Sequence, residues 1–339
     1  MNTNKTLFIV GNSRSGTTML MRIFNNHSEV HSINEPHFFE KNWSNTNKEN
    51  FLDKTKAIEL FSSLLFVQRE GQHKEIDLRL YFEESKIEVD KFYTELTNKV
   101  NVYDHFLFYE TKKSEKSIPC EKTPQNIFYV KEILNQFPNA KIINLVRDPR
   151  SVLLSQKKKW KRRSLGANFL STKELIRLRI NYHPITISKL WNSSLQTAKN
   201  HDSLPAFISI KYEDLLSNPE ETLITLCNFI EMPFQKEMLA IPRIGSSSEK
   251  DDPTKIGIRS NRVYAWKEGG LNKSEIYICE KMTKKLMKAN NYSFSNFRPN
   301  IFQLSFYLLS FPLKLVLALC WNLNRISSVK DTIRRRFVQ

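Results

Sequence analysis

A chain of 339 residues with 40% hydrophobic and 12% aromatic side chains can bury a large core, which excludes extensive disorder; no repeat marks it as a solenoid. Its 52 lysines and arginines against 35 acidic residues leave a net charge of +17, so an anionic partner is expected. The four cysteines, Cys120, Cys227, Cys279 and Cys320, show neither disulfide-framework nor zinc spacing and read as ordinary reduced thiols.

The first element is an apolar strand, Leu7 to Val10, running directly into Gly11-Asn12-Ser13-Arg14-Ser15-Gly16-Thr17-Thr18 and then a helical pattern. The paired glycines have the spacing of a phosphate-cradling loop, whose N–H groups and following helix N-terminus hold anionic oxygens. Thr17 stands where an ATP-type loop carries lysine, and Arg14 is the loop's only cation; a γ-phosphate with its magnesium is therefore not the expected cargo. The next segment carries His31, Glu35 and His37, and alternation along it leaves open which side chain faces a cleft. A polar, helix-rich insertion is expected over residues 41–117, where an enzyme of this layout would read its acceptor.

Ile118 to Lys122 reads as a short strand, with Thr123-Pro124 as a cap and a first-turn proline. A stronger strand, Lys141 to Val146, leads into Arg147-Asp148-Pro149 and a helix bearing Ser151 and Ser155. Strand–helix alternation predicts an α/β fold, a P-loop-type parallel sheet flanked by helices. Parallel pairing would gather Arg14, Lys122 and Arg147 at the carboxyl edge of the sheet, together with three helix N-termini.

Beyond that come a helical stretch from Thr172 to Asn200 bent at Pro184, a strand from Phe207 to Lys211, and a helix from Pro219 to near Met232-Pro233. Residues 243–261, rich in Ser, Gly, Asp and Lys, are expected to form a mobile loop. Lys157, Lys158, Lys159, Lys161, Arg162 and Arg163 surround Trp160. Three readings of that run stay open: a site for an acidic glycan or lipid headgroup, a membrane contact, or a solvated face that steers an anionic ligand. No nucleic-acid module accompanies the charge, so nucleic acid is not an expected partner. From Ile301 to Leu323 the only charged residue is Lys314, Pro312 lies near the middle, and Arg325, Lys330, Arg334, Arg335 and Arg336 follow. This hydrophobic helical tail is long enough to span a bilayer. An interfacial segment on an anionic membrane is the expectation, with a buried terminal helix or a dimer contact as alternatives. A core strand beginning near Thr6 leaves no room for a signal peptide or an amino-terminal anchor, so a cytoplasmic protein is expected, peripheral on the membrane through its tail.

These residues resemble the sulfotransferase superfamily that uses 3'-phosphoadenosine 5'-phosphosulfate (PAPS). Ser13-Arg14-Ser15-Gly16-Thr17-Thr18 is similar to its 5'-phosphosulfate loop, with serine in place of the common proline, and Arg147 with Ser155 has the spacing of its 3'-phosphate pair. Glu35-Pro36-His37-Phe38-Phe39 and Glu121-Lys122-Thr123-Pro124 resemble segments of the heparan-type members, and the loop-to-Glu35 distance resembles that of the tyrosylprotein-type members. Tyr212-Glu213-Asp214-Leu215, Asn218-Pro219-Glu220, and Ser260 and Arg262 followed by Trp266 are similar to further superfamily stretches. The resemblance covers about residues 5–292 and implies a domain over 1–295, with 296–339 as a separate tail. It implies PAPS as co-substrate, bound by Ser13, Arg14, Ser15, Gly16, Thr17, Thr18, Arg147, Ser155, Tyr212 and Arg262, with no metal expected. Its catalytic residues would be Glu35 as general base, with Arg14 and Lys122.

On chemistry alone, in-line sulfuryl transfer to a hydroxyl of a carbohydrate, glycolipid or other small acceptor needs charge neutralisation at the leaving phosphate, which Arg14 and Lys122 can supply. Arg147 suits a bidentate grip on a second phosphate. A carboxylate such as Glu35 can take the acceptor proton; His31 and His37 are its rivals, with better intrinsic pKa values. Two other classes compete: a P-loop kinase of a sugar or nucleoside, with Asp148 available for magnesium but no loop lysine, and a nonenzymatic nucleotide-binding membrane adaptor.

Overall fold

The computed structural model describes residues 5–43, 51–71, 74–167, 170–246, 249–259 and 263–323. Its centre is a five-stranded sheet in the order β2-β3-β1-β4-β5, with β1 Thr6–Gly11, β2 Val30–Ile33, β3 Ile118–Lys122, β4 Ala140–Val146 and β5 Phe207–Lys211. Every pairing in it is parallel. All six residues of β1 are buried, as expected of the middle strand of a sheet covered on both faces. Alternation splits the core: Phe8 and Val10 point into one cluster, Leu7 and Ile9 into the other. Each such side chain, buried in full, stabilises the fold by roughly 1.5–3 kcal/mol.

The register fixes what stands at the carboxyl edge. Ile9 pairs with Lys122, and Gly11 with Leu145. The residues that leave β1, β3 and β4 therefore rise side by side. The chain passes from β1 to β2 and β3 on one side and to β4 and β5 on the other, so the crevice of this open sheet lies above β1.

Helix α1 (Thr17–Asn25) covers the Leu7 and Ile9 face. After the short α2 (Phe38–Lys41), the expected insertion is helical, as α3 (Lys54–Glu70), α4 (Phe82–Phe92) and α5 (Lys99–Lys113). It packs on the Phe8 and Val10 face through Phe61, Leu65, Tyr103 and Phe106. Arg69 ties its three long helices together: its Nη atoms donate to Glu84 at 2.6 and 2.8 Å, and Nη2 to Glu110 at 2.5 Å. That hydrogen bonding, against the cost of burial, draws the Glu84 carboxyl down to about 2. After β3 the chain makes a 3₁₀ turn (Pro124–Tyr129) and then α6 (Val130–Gln136). After β4 it enters α7 (Pro149–Lys158).

Two expectations are corrected. The stretch from Thr172 to Asn200 is not one bent helix but α8 (Thr172–Ile180) and α9 (Pro184–Lys199). Pro184 is the first residue of α9, and His183 caps it by accepting from the Ile185 N–H at 3.3 Å, so the proline starts a helix here. Within the segment read as a mobile loop, Pro242–Arg243 (β6) and Asp252–Ile256 (β7) pair as an antiparallel hairpin. Asp251 anchors it, accepting from the Gly245 N–H at 2.7 Å and from Arg162 at 2.9 and 2.8 Å. Arg162 is far away in sequence, which is why local composition read as loop.

The remaining helices are α10 (Tyr212–Ser217), α11 (Pro219–Phe229), α12 (Lys273–Ala289) and α13 (Ile301–Asn322). None of the residues of α13 is buried. Arg69→Met strips a partner from both Glu84 and Glu110 and is expected to cost about 2 kcal/mol of unfolding free energy. Urea denaturation reads this as a lower midpoint at unchanged slope; an unmoved midpoint would show that the cluster does not hold the insertion.

Candidate active site

Above the carboxyl ends of β1, β3 and β4 opens a cavity of about 1330 Å³. The loop after β1 forms its floor, and two glycines shape that loop. At Gly11, φ is 143° and a Cβ would lie 2.7 Å from the Leu145 carbonyl; at Gly16, φ is 100° and a Cβ would lie 2.4 Å from the Tyr212 ring. Both positions need glycine, for conformation and for space. Gly16 begins α1 without a side-chain cap; the Met19 N–H donates to the Gly16 carbonyl at 2.9 Å, which leaves the Thr17 and Thr18 N–H groups for a ligand. Arg14 is held in a left-handed conformation at φ 73°, which few non-glycine residues adopt.

The expected residues converge. Ser13, Arg14, Gly16, Thr17, Thr18, Glu35, Arg147, Ser155 and Tyr212 all line this cavity. Arg14 Nε donates to Ser155 Oγ at 2.9 Å, and Arg147 Nη1 donates to the Arg14 carbonyl at 3.1 Å. The Arg147 guanidinium lies 4.2 Å from the centre of the Tyr212 ring, a cation–π contact that fixes its plane. Ser15 is buried beneath the loop. Lys122 is buried against Glu35, with which it forms an ion pair. Arg262 and Ser260 lie outside the described residues, and Trp266 stacks on Arg150 at 3.8 Å.

The expectation of three helix N-termini at this edge is corrected. Of the three junctions, the first opens α1 without a side-chain cap and the second opens a 3₁₀ turn, while α10 also starts at this edge, after β5, without a side-chain cap. The third is closed by Asp148, which accepts from the Arg150 N–H at 2.8 Å and from the Arg150 guanidinium at 3.0 and 2.7 Å. This engagement also removes Asp148 from the role a kinase reading would give it.

The electrostatics separate the candidate bases. Burial would raise the Glu35 carboxyl, but Lys122 and His37 outweigh it and hold the group well below the usual carboxylate range. Burial likewise opposes a charge on His37, yet its hydrogen bonds to Glu35 and Glu40 raise the ring to about 9. A ring protonated at neutral pH cannot accept a proton. Burial first lowers the His31 pKa; the charges that act on it are Glu110 and Lys116, away from the cavity. Glu35 thus lines the cavity as an ionised carboxylate, beside His37 as a protonated ring.

Two residues named in the sequence but left out of the expected donor set also reach the cavity. Ser151 lines the cavity one turn before Ser155 on α7. Lys159, one turn after it, also lines the cavity, so the four-residue helical spacing was a usable signal. Burial first, then the Arg14 charge, pulls the Lys159 ammonium down to about 8. Burial, Arg147 and Arg162 likewise pull Arg14 down to about 10. The site is a set of crowded cations. Moreover, Arg147 Nε and Ser151 Oγ are buried with no hydrogen-bond partner among the described residues, an arrangement that costs free energy unless a ligand supplies acceptors. Uncapped N–H groups, facing guanidinium groups and orphaned donors fit a ligand with more than one phosphate-like group.

Residues 6–236 match the model of the Sulfotransferase family. A Caenorhabditis elegans protein described as a candidate protein-tyrosine sulfotransferase is 28% identical over 122 residues, covering 35% of this chain and 42% of that protein. An uncharacterised Aquifex aeolicus (strain VF5) protein is 27% identical over 237 residues, covering 69% of this chain and 26% of that protein. The matches thus span less than half the length of these relatives. Among solved structures, the sulfotransferase domain from the curacin biosynthetic pathway is similar at a TM-score of 0.53 and 22% identity, covering 86% of this chain and 99% of that domain.

Sulfate, whose own charge is constant across the neutral and alkaline range, probes the cation cluster. Below the Lys159 value of about 8 its affinity should be flat; above it, affinity should fall by up to about tenfold per pH unit, because binding then requires uptake of a proton. Calorimetric titration reads the slope. Lys159→Met should remove the slope between about pH 8 and 9, before His37 and Arg14 begin to titrate, and a wild-type slope over that interval would remove Lys159 from the site.

Proposed function

The chain belongs to the sulfotransferase family, and we propose that it moves a sulfuryl group from PAPS to an acceptor hydroxyl. One observation carries the reading of the donor: two guanidinium groups, Arg14 and Arg147, share one cavity floor, Arg147 being tied to the loop by its 3.1 Å hydrogen bond to the Arg14 backbone carbonyl, with buried donors, Arg147 Nε and Ser151 Oγ, that lack acceptors. A nucleotide with a single cluster of phosphates needs one of these anchors. A donor phosphorylated at both the 5' and 3' positions needs both.

In this reading the loop N–H groups, Thr17 and Thr18 hold the 5'-phosphosulfate, while Arg14 faces the bridging oxygen. Arg147, its plane fixed by Tyr212, holds the 3'-phosphate together with Ser151 and Ser155. Glu35 takes the proton of the acceptor hydroxyl as the acceptor oxygen bonds to sulfur and the bond from sulfur to the 5'-phosphate oxygen breaks. The products are a sulfate ester and 3'-phosphoadenosine 5'-phosphate (PAP). Lys122 neutralises charge on the departing oxygens. It is also the partner that keeps Glu35 a weak base at rest. When Lys122 turns to a sulfonate oxygen, Glu35 loses a large part of that restraint, and its basicity rises when it is needed.

Donor recognition is tested by calorimetry without added metal. Arg147→Ala should weaken PAP by about 30- to 150-fold, the worth of a charge-assisted bidentate contact, and leave adenosine 5'-phosphate within about twofold. Equal losses for the two nucleotides would place the second phosphate elsewhere, and tight binding of magnesium-ATP in place of PAP would favour the kinase reading. Separately, Glu35→Gln should lower the turnover of radiolabelled PAPS by about 10²- to 10⁴-fold with unchanged PAP affinity. Wild-type turnover in that variant would remove Glu35 as the base.

A further inference from the structure

Helix α13 is apolar on both sides. Its half-buried stripe, which faces the protein, mixes Leu304, Phe311, Leu315, Ala318 and Leu319 with Tyr307, Ser310, Lys314 and Asn322, and apart from Gln303 and Ser305 its outward face is apolar too. Phe302 is 88% exposed, Leu309 82%, Phe306 66% and Leu313 64%. An exposed face of this kind, along a helix of 22 residues that is long and apolar enough to cross a membrane, marks an interaction surface.

The helix is tied to the domain near both ends. Near its start Ser274 Oγ donates to the Asn300 carbonyl at 3.1 Å, and Asn272 Nδ2 donates to the Tyr307 hydroxyl at 3.0 Å. At its end Arg177 Nη1 donates to Asn322 Oδ1 at 2.7 Å, and Asn322 Nδ2 donates to Asn181 Oδ1 at 2.8 Å. A helix held this way lies along the domain and cannot cross a bilayer away from it. Its inner residues Leu315, Ala318 and Leu319 belong to the wall of the same cavity that holds Glu35 and Arg14. Leu178, Ile187 and Leu190 of α8 and α9 extend that apolar sector. One helix is therefore both the exposed apolar surface and a wall of the reaction chamber.

Charge selects the occupant of the surface. On the neighbouring α8, Ile176 and Arg179 are exposed; Trp160 is 38% exposed, with Arg179 and Lys161 lying 5.4 and 5.5 Å from its ring centre. By sequence, Arg325, Lys330, Arg334, Arg335 and Arg336 follow the helix. A rim of cations with an interfacial tryptophan suits an anionic bilayer, whereas a second copy of the chain would bring like charges together.

We propose that α13 is seated on an anionic bilayer by its outward face, and that the acceptor is a hydroxyl-bearing membrane amphiphile. Its hydrocarbon chain stays beside α13 in the bilayer, and its hydroxyl enters the cavity past Leu315 and Leu319 toward Glu35. The acceptor half of this inference rests on the sulfuryl-transfer reading; the seating of the helix does not.

The test uses the full chain with phosphatidylcholine vesicles, with and without 30 mol% phosphatidylglycerol. The vesicles are doped with hexadecanol, diacylglycerol or monoglycosyl diacylglycerol, and glycerol and methyl glucoside serve as water-soluble counterparts. Cosedimentation should require phosphatidylglycerol, and label from PAPS should enter the organic phase. Phe306→Asp/Leu309→Asp/Leu313→Asp should lose vesicle binding and organic-phase label at least tenfold, while PAP affinity stays unchanged as proof of an intact fold. No cosedimentation of the wild-type chain, or a dimer held through α13 in its place, overturns the seating. Label confined to the water-soluble counterparts, or absent from the organic phase, overturns the acceptor class. Failure of PAP binding with vesicle binding intact would overturn the sulfuryl-transfer reading and leave the seating standing.

Discussion

Parallel pairing of β1 with β3 on one side and β4 on the other is the constraint from which the site follows. The register sets Lys122 beside Ile9, and Leu145 beside Gly11, so the side chains that leave these strands meet at one edge. Nothing in the local sequence of any one strand demands a cation there. Their meeting is costly: Arg14 and Lys159 both lose part of their proton affinity, to burial first and to neighbouring positive charge after it. The sheet and the two core layers that clamp it hold in place a charge cluster that would otherwise disperse. An anion relieves that cost on binding, so affinity is built into the fold before any ligand arrives.

The same economy governs the carboxylate side. Glu35 stands between Lys122 and His37, and His37 is shared with Glu40 at 3.1 Å. His37 itself sits at φ 52°, a conformation retained because the ion pairs and the packing of Phe38 and Phe39 determine it. The arrangement keeps the carboxylate ionised at rest and couples it to a buried cation. In the proposed reaction, the readiness of Glu35 as a base depends on donor binding through Lys122.

Much of this edge could be read in the sequence because each junction carries local signals. A buried apolar strand, a glycine pair, a cap followed by proline, and a cation at the strand end are short-range features, and they located Arg14, Lys122, Arg147 and Ser155. Contacts made over long sequence distances were hidden. The hairpin of β6 and β7 depends on Asp251 meeting Arg162; the break before Pro184 is by contrast local, a His183 cap on the Ile185 N–H that reading the proline as a bend overlooked. In the basic run around Trp160, helical geometry sends Lys159 into the cavity and Arg162 to Asp251, and leaves Lys161 and Arg163 exposed. No composition count separates those fates. The orientation of α13 was hidden for the same reason, since which side of an apolar helix faces the protein is set by Arg177, Asn181 and Asn272 on other elements.

A crystal structure of the chain with PAP tests the central claim most directly. The account predicts the 5'-phosphate on the N–H groups of residues 13–18, and the 3'-phosphate within hydrogen-bond distance of Arg147 and Ser155, with Lys122 and Glu35 beside the 5'-phosphate. A nucleotide whose 5'-phosphate lies away from the loop N–H groups, or whose 3'-phosphate faces solvent away from Arg147, would contradict it.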